Sequence, residues 1–473
     1  MPIIPFVGPS YQMEAFSFDH QRCVNLYAIV SESGSSASPS ALRSTPGLQD
    51  FAELGGGPVR GGIESQGRVF FVSGSGFYEV LSDGTTENHG TLNTFTSRVQ
   101  ILDNPTQIMV IDGTDGYIFT KTTDAFVQIT DVDFPTPSSL TFQDGYFIVS
   151  AAGTNLMYVS AINNGLSWGS GASDFTTVEG NPDFLTAVFS NKSNVWAFGT
   201  KTTEVFQNTG ALFPFQVLRG AFIQTGCAAP DTIQNIDNSL IWLGTDENGG
   251  AVLWRSNGYN ATRISTQAIE RLISTSDRFD ESYAWTYHER GHAFYCLQVE
   301  GLNTTLVVDL STGLWHERVY RNPITNNEEQ HRGSCHVFAF NKHLVGDRET
   351  GMVYEQRLDV YTDSEDPIVR KRILPVIVAE NELIPHWQFE LDMEVGIGAV
   401  SGQGENPRVM MRYSDNRGRT WSSELLREFG EMGEYNTRVV WNALGSSKGR
   451  VYEVSVSDPV FVQINAAYLN GSG

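Results

Sequence analysis

The stretch from Gly67 to Leu92, GRVFFVSGSGFYEVLSDGTTENHGTL, constrains the fold more than any other. Val69 to Ser73 is a short β-branched and aromatic run, Gly74 to Gly76 a turn, and Phe77 to Leu81 a second such run closed by Ser82, Asp83 and Gly84. That order predicts a β-hairpin followed by a tight turn into a third strand. The pattern returns at Gln107 to Thr120, Gly145 to Ala161, Asn194 to Asn208, Ser239 to Ser256 and His292 to Ser311, with a poorer copy from Lys342 to Glu355. Successive copies begin roughly 40 to 50 residues apart, the period of a propeller blade. A blade cannot bury both faces of its twisted sheet alone, so several must pack around an axis. Residues 55–360 are therefore expected to form an all-β propeller of six or seven blades. Two stacked β-sandwiches are the competing arrangement, because evenly spaced hairpins also build those.

The composition suits such a fold. The chain has 473 residues, of which 40% are hydrophobic and 11% aromatic, enough for a large core, and its 46 glycines can supply many turns. With 54 acidic against 31 basic residues the formal net charge is −23. A surface of that sign repels phosphate backbones and argues against a tight DNA-binding module. It also suits a wall past which DNA slides without sticking, and composition alone does not separate that use from simple solubility.

Cys23, Cys227, Cys296 and Cys335 are far apart, form no CxxC pair and are expected as buried thiols. The leading MPIIPFVGPSYQ lacks a basic segment followed by an apolar one, and no stretch approaches 18 apolar residues. Neither a signal peptide nor a membrane insertion is expected, and the chain should fold in a reducing cytoplasm. The sequons at Asn191, Asn260 and Asn303 then carry no meaning.

Residues 1–54 read as an extended N-terminal arm, with a possible strand over Cys23 to Ser31 and a Ser/Gly/Ala/Pro loop from Ser31 to Ser40. One helix is expected, Ser265 to Thr275, capped by Ser265 or Thr266, with Ile269, Leu272 and Ile273 on one face. The charged, Pro-containing TDSEDPIVRKR after Tyr361 reads as a boundary, so residues 361–473 are expected as a linker and a second, C-terminal β domain. Its strands should lie near Leu374 to Val378, Trp387 to Val395, Arg408 to Tyr413, Arg438 to Trp441, Val451 to Val456 and Val460 to Tyr468. Alternation puts Val451, Glu453, Ser455 and Ser457 on one face of the fifth strand and Tyr452, Val454 and Val456 on the other.

Several motifs invite a chemical reading. His288 to His292 spells HERGH, the zinc-protease pattern, but that chemistry needs a helix to bring both imidazoles to one face. Aromatic and β-branched neighbours on both sides, with Gly291 in the centre, predict strand, turn and strand instead. Ser414 to Trp421, SDNRGRTW, resembles the Asp-box of sialidases and related propellers, with Asn416 where the Asp should be. In that motif polar side chains fold a hairpin turn and the Trp plugs the sheet beneath, so Trp421 is expected to be buried; Ser160 to Trp168 is a looser echo. The acidic turns Asp112 to Asp115 and Asp246 to Gly249 are the chemistry hairpins require and lack the length and Glu of a dedicated calcium loop. No facing carboxylate pair, phosphate loop or nucleophile elbow stands out, so no catalytic, cofactor-binding or metal residue is assigned.

Taken in order, Cys23 to Ala28 with Ala41 to Leu48, then Gly67 to Val80, Arg263 to Glu270, Tyr413 to Ser422, Glu434 to Gly445 and Arg450 to Pro459 resemble the tail hub proteins of short-tailed bacteriophages. These are the packaged DNA stabilisation proteins, or tail accessory factors, and the likeness runs from the N-terminal arm to the C-terminal domain. The resemblance implies a non-enzymatic virion structural protein of the tail, assembled in the host cytoplasm without a cofactor. It implies a ring of other copies, a homohexamer, forming a nozzle beneath the portal and its head-to-tail adaptor ring. Tail needle, spike or fibre proteins would attach to it, and duplex DNA would pass through the lumen non-specifically and be held in until ejection. The alternative from another class is a carbohydrate-binding or glycoside-cleaving β-propeller, suggested by the Asp-box-like turn and 9 Trp.

Overall fold

A computed structural model describes residues 3–15, 19–33, 38–180, 183–246, 248–379 and 382–470. Each repeat seen in the sequence is the middle hairpin of a four-stranded antiparallel blade. Blade 1 runs from Val59–Ser65 to Thr86–Thr91, blade 2 from Gln100–Asp103 to Ala125–Gln128, and blade 3 from Pro137–Gln143 to Phe175–Thr177. Blade 4 runs from Leu185–Asn191 to Phe215–Ile223, blade 5 from Gln234–Ile236 to Asn260–Arg263, and blade 6 from Tyr283–Glu289 to Leu314–Arg321. Blade 7 takes Gly333–Ala339, Lys342–Asp347 and Met352–Arg357 and completes itself with Gly47–Glu53 from the other end of the chain. The blade count is thus seven, and the poor copy at Lys342 is a true blade.

The core is a ring of clusters between blades rather than one central mass. Phe70, Val72 and Phe77 of blade 1 pack on Ile108, Val110 and Phe119 of blade 2, and Ile148 and Met157 of blade 3 pack on Val195 and Phe206 of blade 4. Each such side chain gains about 1.5 to 3 kcal/mol on burial, which only the neighbouring blade can supply. The helix is Gln267–Ile273, shorter than expected; Thr266 caps it by accepting from the Ile269 N–H at 3.4 Å, and Ile269 and Ile273 join the cluster between blades 5 and 6.

The C-terminal domain is a β-sandwich. One sheet orders Leu26–Val30, Ser40–Ser44, Gln463–Leu469, Gln388–Met393 and Val439–Asn442. The other orders His20–Val24, Arg370–Ile373, Gly449–Val456, Arg408–Ser414 and Leu425–Glu428. Tyr452, Val454 and Val456 point into the core with Phe389 and Trp441, as alternation predicts. The opposite face of that strand is covered as well, since Val451, Glu453 and Ser455 are also buried.

The first 54 residues, expected as an extended arm, pair into the sheets of both domains. Among the described residues, Ile3–Ile4, His20–Val24, Leu26–Val30 and Ser40–Ser44 belong to the sandwich sheets, and Gly47–Glu53 closes the propeller. The physical reason is pairing: an isolated extended segment leaves its N–H and C=O groups to water, whereas two open sheet edges here take them up. Nor is VRKR an exposed linker, because Arg370 and Arg372 are buried in the strand Arg370–Ile373. A chain lacking residues 1–53 should therefore lose cooperative unfolding and near-UV circular dichroism in both domains; a truncated protein melting like the full chain would contradict this topology.

Candidate functional site

The motifs that suggested chemistry are hairpin tips. HERGH ends one strand of blade 6 and begins the next, with Glu289 opposite His292 and His288 opposite Ala293. Directly opposed residues share a face and successive residues alternate, so His288 and His292 project from opposite faces of the sheet. Arg290 and Gly291 make the turn at φ 48° and 83°. His288 reaches Asp237 at 3.4 Å and His292 binds Asp309 at 2.8 Å, two unrelated partners. The Asp112 carboxylate accepts the Thr114 and Asp115 N–H groups at 3.0 and 2.7 Å, closing its turn. In the second acidic turn Asp246 accepts the Asn248 and Gly250 N–H groups, while Glu247 lies outside the described residues. Glu79, Glu87 and His89 bring ligand atoms within 4.8 Å of one another, but Arg68 grips Glu79 through two bonds of 2.8 and 2.5 Å and His89 takes the same carboxylate at 2.9 Å.

The Asp-box-like turn folds as expected in its backbone. The Ser414 hydroxyl accepts the Gly418 N–H at 2.8 Å and Asn416 accepts the Thr420 N–H at 2.8 Å, so the amide replaces the missing carboxylate. Trp421, however, is only half-buried, with the Arg412 guanidinium 4.9 Å above its ring. Arg412 is itself paired with Glu453 at 2.7 Å. The looser echo is the better plug: Trp168 is buried, donates to the Gly165 carbonyl at 2.8 Å and meets Phe134 edge-on.

The propeller axis holds two adjoining cavities of about 470 and 300 Å³, lined by the inner strands. Side chains bridge the axis where the two meet. Gln100 of blade 2 donates to Asp231 beside blade 5 at 3.0 Å, and Arg98 lies 4.2 Å over the Tyr283 ring of blade 6 while donating to the Ser334 carbonyl of blade 7. Arg60 is buried at the rim, bonded to Thr94, Ser97 and the Gly74 carbonyl, and burial brings its guanidinium down to about 10. A duplex, whose major groove alone is about 12 Å wide, cannot thread this space.

The densest polar construction lies between propeller and sandwich. His20–Val24 runs parallel to the outer strand of blade 6, with Val24 opposite Glu317, and so joins the two sheets. Glu317 has no exposed side-chain surface; it accepts Ser10 at 2.9 Å, Gln12 at 3.0 Å and the Arg22 guanidinium at 2.5 Å. Arg22 also binds Glu328 at 3.0 Å, and Lys371 of the sandwich binds the same carboxylate. Burial pushes Glu328 up, but Arg22 and Lys371 outweigh it and hold it near 2. Asn25, at φ 52°, then turns the chain from one sandwich sheet into the other. Its amide donates to the Val319 and Val369 carbonyls at 2.9 Å each and accepts the Val319 N–H at 3.0 Å, standing in for a missing strand. Buried Arg372 donates to the Phe6 carbonyl at 2.7 Å and the Pro9 carbonyl at 3.0 Å, which fixes the N-terminus to the sandwich. None of these partners is adjacent in sequence, where Cys23 to Ser31 reads only as a strand.

Removing one partner of the buried Arg22–Glu317 pair should cost about 3 to 5 kcal/mol, so Arg22→Ala should lower Tm and lose coincident melting of the two domains. Trp168→Ala should cost about 3 to 5 kcal/mol, and Trp421→Ala only about 1 to 2 kcal/mol, in denaturant titrations; the reverse order would restore the plug role to Trp421. Acid should also destabilise the fold. Burial holds the His316 and His336 imidazoles neutral down to about 3 and His386 to about 4, and lowers His331 as well. Unfolded histidines take up protons near 6.5, so the unfolded state binds more protons between about pH 6.5 and 4, and stability falls as pH drops through that window. Asp363, which burial raises to about 6, and Glu204, which burial raises as well, act in the opposite sense but are outnumbered by the four imidazoles. Tm should fall from pH 7 to pH 4; a flat or rising profile would contradict the buried, neutral imidazoles.

Comparison with known proteins accords with this two-part architecture. Residues 2–361 match the phage stabilisation family described as the β-propeller of bacteriophage P22 Gp10, and residues 370–472 match the β-sandwich of the same protein. No curated protein is a significant match to the chain. Solved structures with a similar fold include the extracellular domain of BT4673 from B. thetaiotaomicron, 11% identical with a TM-score of 0.45 over 82% of this chain and 48% of that one. The Neurospora crassa Pan2 WD40 domain is 11% identical with a TM-score of 0.40 over 63% and 89%, and the designed protein Ika8 is 13% identical with a TM-score of 0.41 over 65% and 99%. These likenesses carry no argument. With both of its domains matched in order by one phage protein, the chain belongs to the bacteriophage P22 Gp10 family of phage DNA-stabilisation proteins.

Proposed function

We propose that this phage structural protein is a subunit of the tail hub. Copies, six in the reading favoured here, form a ring beneath the portal and its adaptor, surround the DNA ejection channel and retain the packaged genome in the virion tail. The observation that carries the reading is the bridged propeller axis: with Gln100 bonded to Asp231 and Arg98 stacked on Tyr283, a DNA path would have to run between copies rather than through one. The net charge of −23 supports the same view, because a lumen wall that formed many Lys or Arg contacts to phosphate would bind DNA strongly and impede its exit. The adaptor ring and the needle, spike or fibre proteins are the expected neighbours, and the role involves no chemistry and no cofactor. The carbohydrate-active alternative gains nothing from the family, and the turn that suggested it is a hairpin tip.

Mixing the purified chain with portal and adaptor rings should give a stacked ring in electron micrographs, and the isolated chain should bind duplex DNA feebly at physiological salt. Absence of the stacked ring, or tight sequence-specific DNA binding, would defeat the reading.

A further inference from the structure

The charge is unevenly shared between the two domains. Residues 370–473 carry 13 acidic and 11 basic residues, a net of −2, which leaves −21 on residues 1–369. Within the sandwich, exposed cations gather at one tip. Arg417 and Arg419 on the Asp-box-like turn and Lys448 on the loop before Gly449–Val456 are exposed, and no ion pair involves them among the described residues. Asp415 at the same tip is taken by Arg450 at 2.6 Å. Glu382 is exposed there and leaves the tip net positive. The tip is also apolar, with Trp387 68% and Leu383 60% exposed just before the strand Gln388–Met393. Register places these segments together: Gln388 lies opposite Asn442, Ile384 opposite Ser447, and Val451 opposite Ser414.

A complementary surface lies on the propeller, on the flank of blades 3 and 4, with blade 5 between it and blade 6, where the sandwich is attached. Phe184 is 64% and Phe222 45% exposed. Glu204 lies directly opposite Phe222 across the outer strands of blade 4 and accepts the Gly180 N–H at 2.6 Å. Asp183 and exposed Glu179 complete a group of three carboxylates. Burial, with Asp183 and Glu179 nearby, raises the Glu204 carboxyl, so the group is under like-charge repulsion in the single chain. Lys201 gives Asp183 only its backbone N–H, at 2.8 Å.

We infer that the basic, aromatic sandwich tip of one copy docks on the acidic, aromatic flank of blades 3 and 4 of the next. The two surfaces differ from each other, so the contact is head-to-tail, the kind that closes into a ring when its rotation allows. Trp387 and Phe184 supply the apolar anchors that interfaces favour, and the opposed charges set register and association rate. The inference rests on the ring reading above but goes further, because it names which surfaces meet.

The test is sedimentation velocity of the full chain at low and physiological salt, with carbodiimide cross-linking of mixed light and heavy isotope-labelled chains. The wild type should self-associate, more weakly as salt rises, and should cross-link Lys448 of one copy to Glu179 or Asp183 of another. The exposed triple variant Arg417→Glu, Arg419→Glu, Lys448→Glu should keep its Tm and lose at least tenfold in association. Adding Glu179→Arg to the triple variant should recover part of that loss. A wild type that stays monomeric overturns the inference, as does a triple variant that assembles normally, a loss of association that Glu179→Arg leaves unrepaired, or cross-links from Lys448 that avoid blades 3 and 4. If the triple variant assembles but no longer retains duplex DNA, the tip is a nucleic-acid surface and the inference fails likewise. Should triple-variant chains still form the stacked ring on portal and adaptor, this contact is wrong while the tail-hub reading stands; should no chain form that ring, the reading itself fails.

Discussion

The buried pairing of Glu317 with Arg22 is the interaction on which the architecture depends. It sits where a propeller blade stops being a blade: the outer strand Leu314–Arg321 accepts a parallel neighbour, His20–Val24, and the sheet runs on into the sandwich. A carboxylate with no exposed surface is costly unless its lone pairs are filled. Here Ser10, Gln12 and Arg22 from the N-terminal segment fill them, with the Thr304 hydroxyl donating at 3.3 Å. Without that segment blade 6 would end in an uncompensated charge and an open edge, and blade 7 would lack its fourth strand. One stretch of chain thus completes the propeller, joins it to the sandwich and supplies strands to both sandwich sheets.

This arrangement bears on function through rigidity. In the proposed tail-hub role, a subunit lining a channel under load from packaged DNA would benefit when its two domains cannot move independently. Here they share a sheet, a buried ion pair continued through Glu328 to Lys371, and an asparagine that substitutes for a peptide between them. The propeller contributes mass and a fixed outline rather than a pore, since its axis is bridged by Gln100 and Asp231 and by Arg98 on Tyr283.

What was legible in the sequence was local. Seven hairpins announced themselves through runs such as Val69 to Ser73 and Phe77 to Leu81, because alternation and turn residues act within ten residues. The helix was legible for the same reason, and so was the hairpin at HERGH. The closure was not: GLQDFAE has little strand character, and its partner Met352–Arg357 lies some three hundred residues away. VRKR looked like a linker because charge suggests exposure, whereas Arg372 is buried through carbonyls of Phe6, Pro9 and Arg22 that composition does not reveal. Of the two Asp-box-like turns, the closer sequence match has the less buried Trp, since what covers Trp421 is set by Arg412 on a neighbouring strand. The complementary surfaces were hidden likewise, since single exposed residues become a patch only once register brings them together.

The most direct test of the account is native-state hydrogen exchange on the full chain. If the N-terminal strands make propeller and sandwich one body, the amides of Val319, Asn25 and Leu374, which donate across or beside the junction, should exchange only through global unfolding, with the same free energy as the core of blade 6. Sandwich amides that open at a clearly lower free energy, while those of blade 6 stay protected, would contradict it.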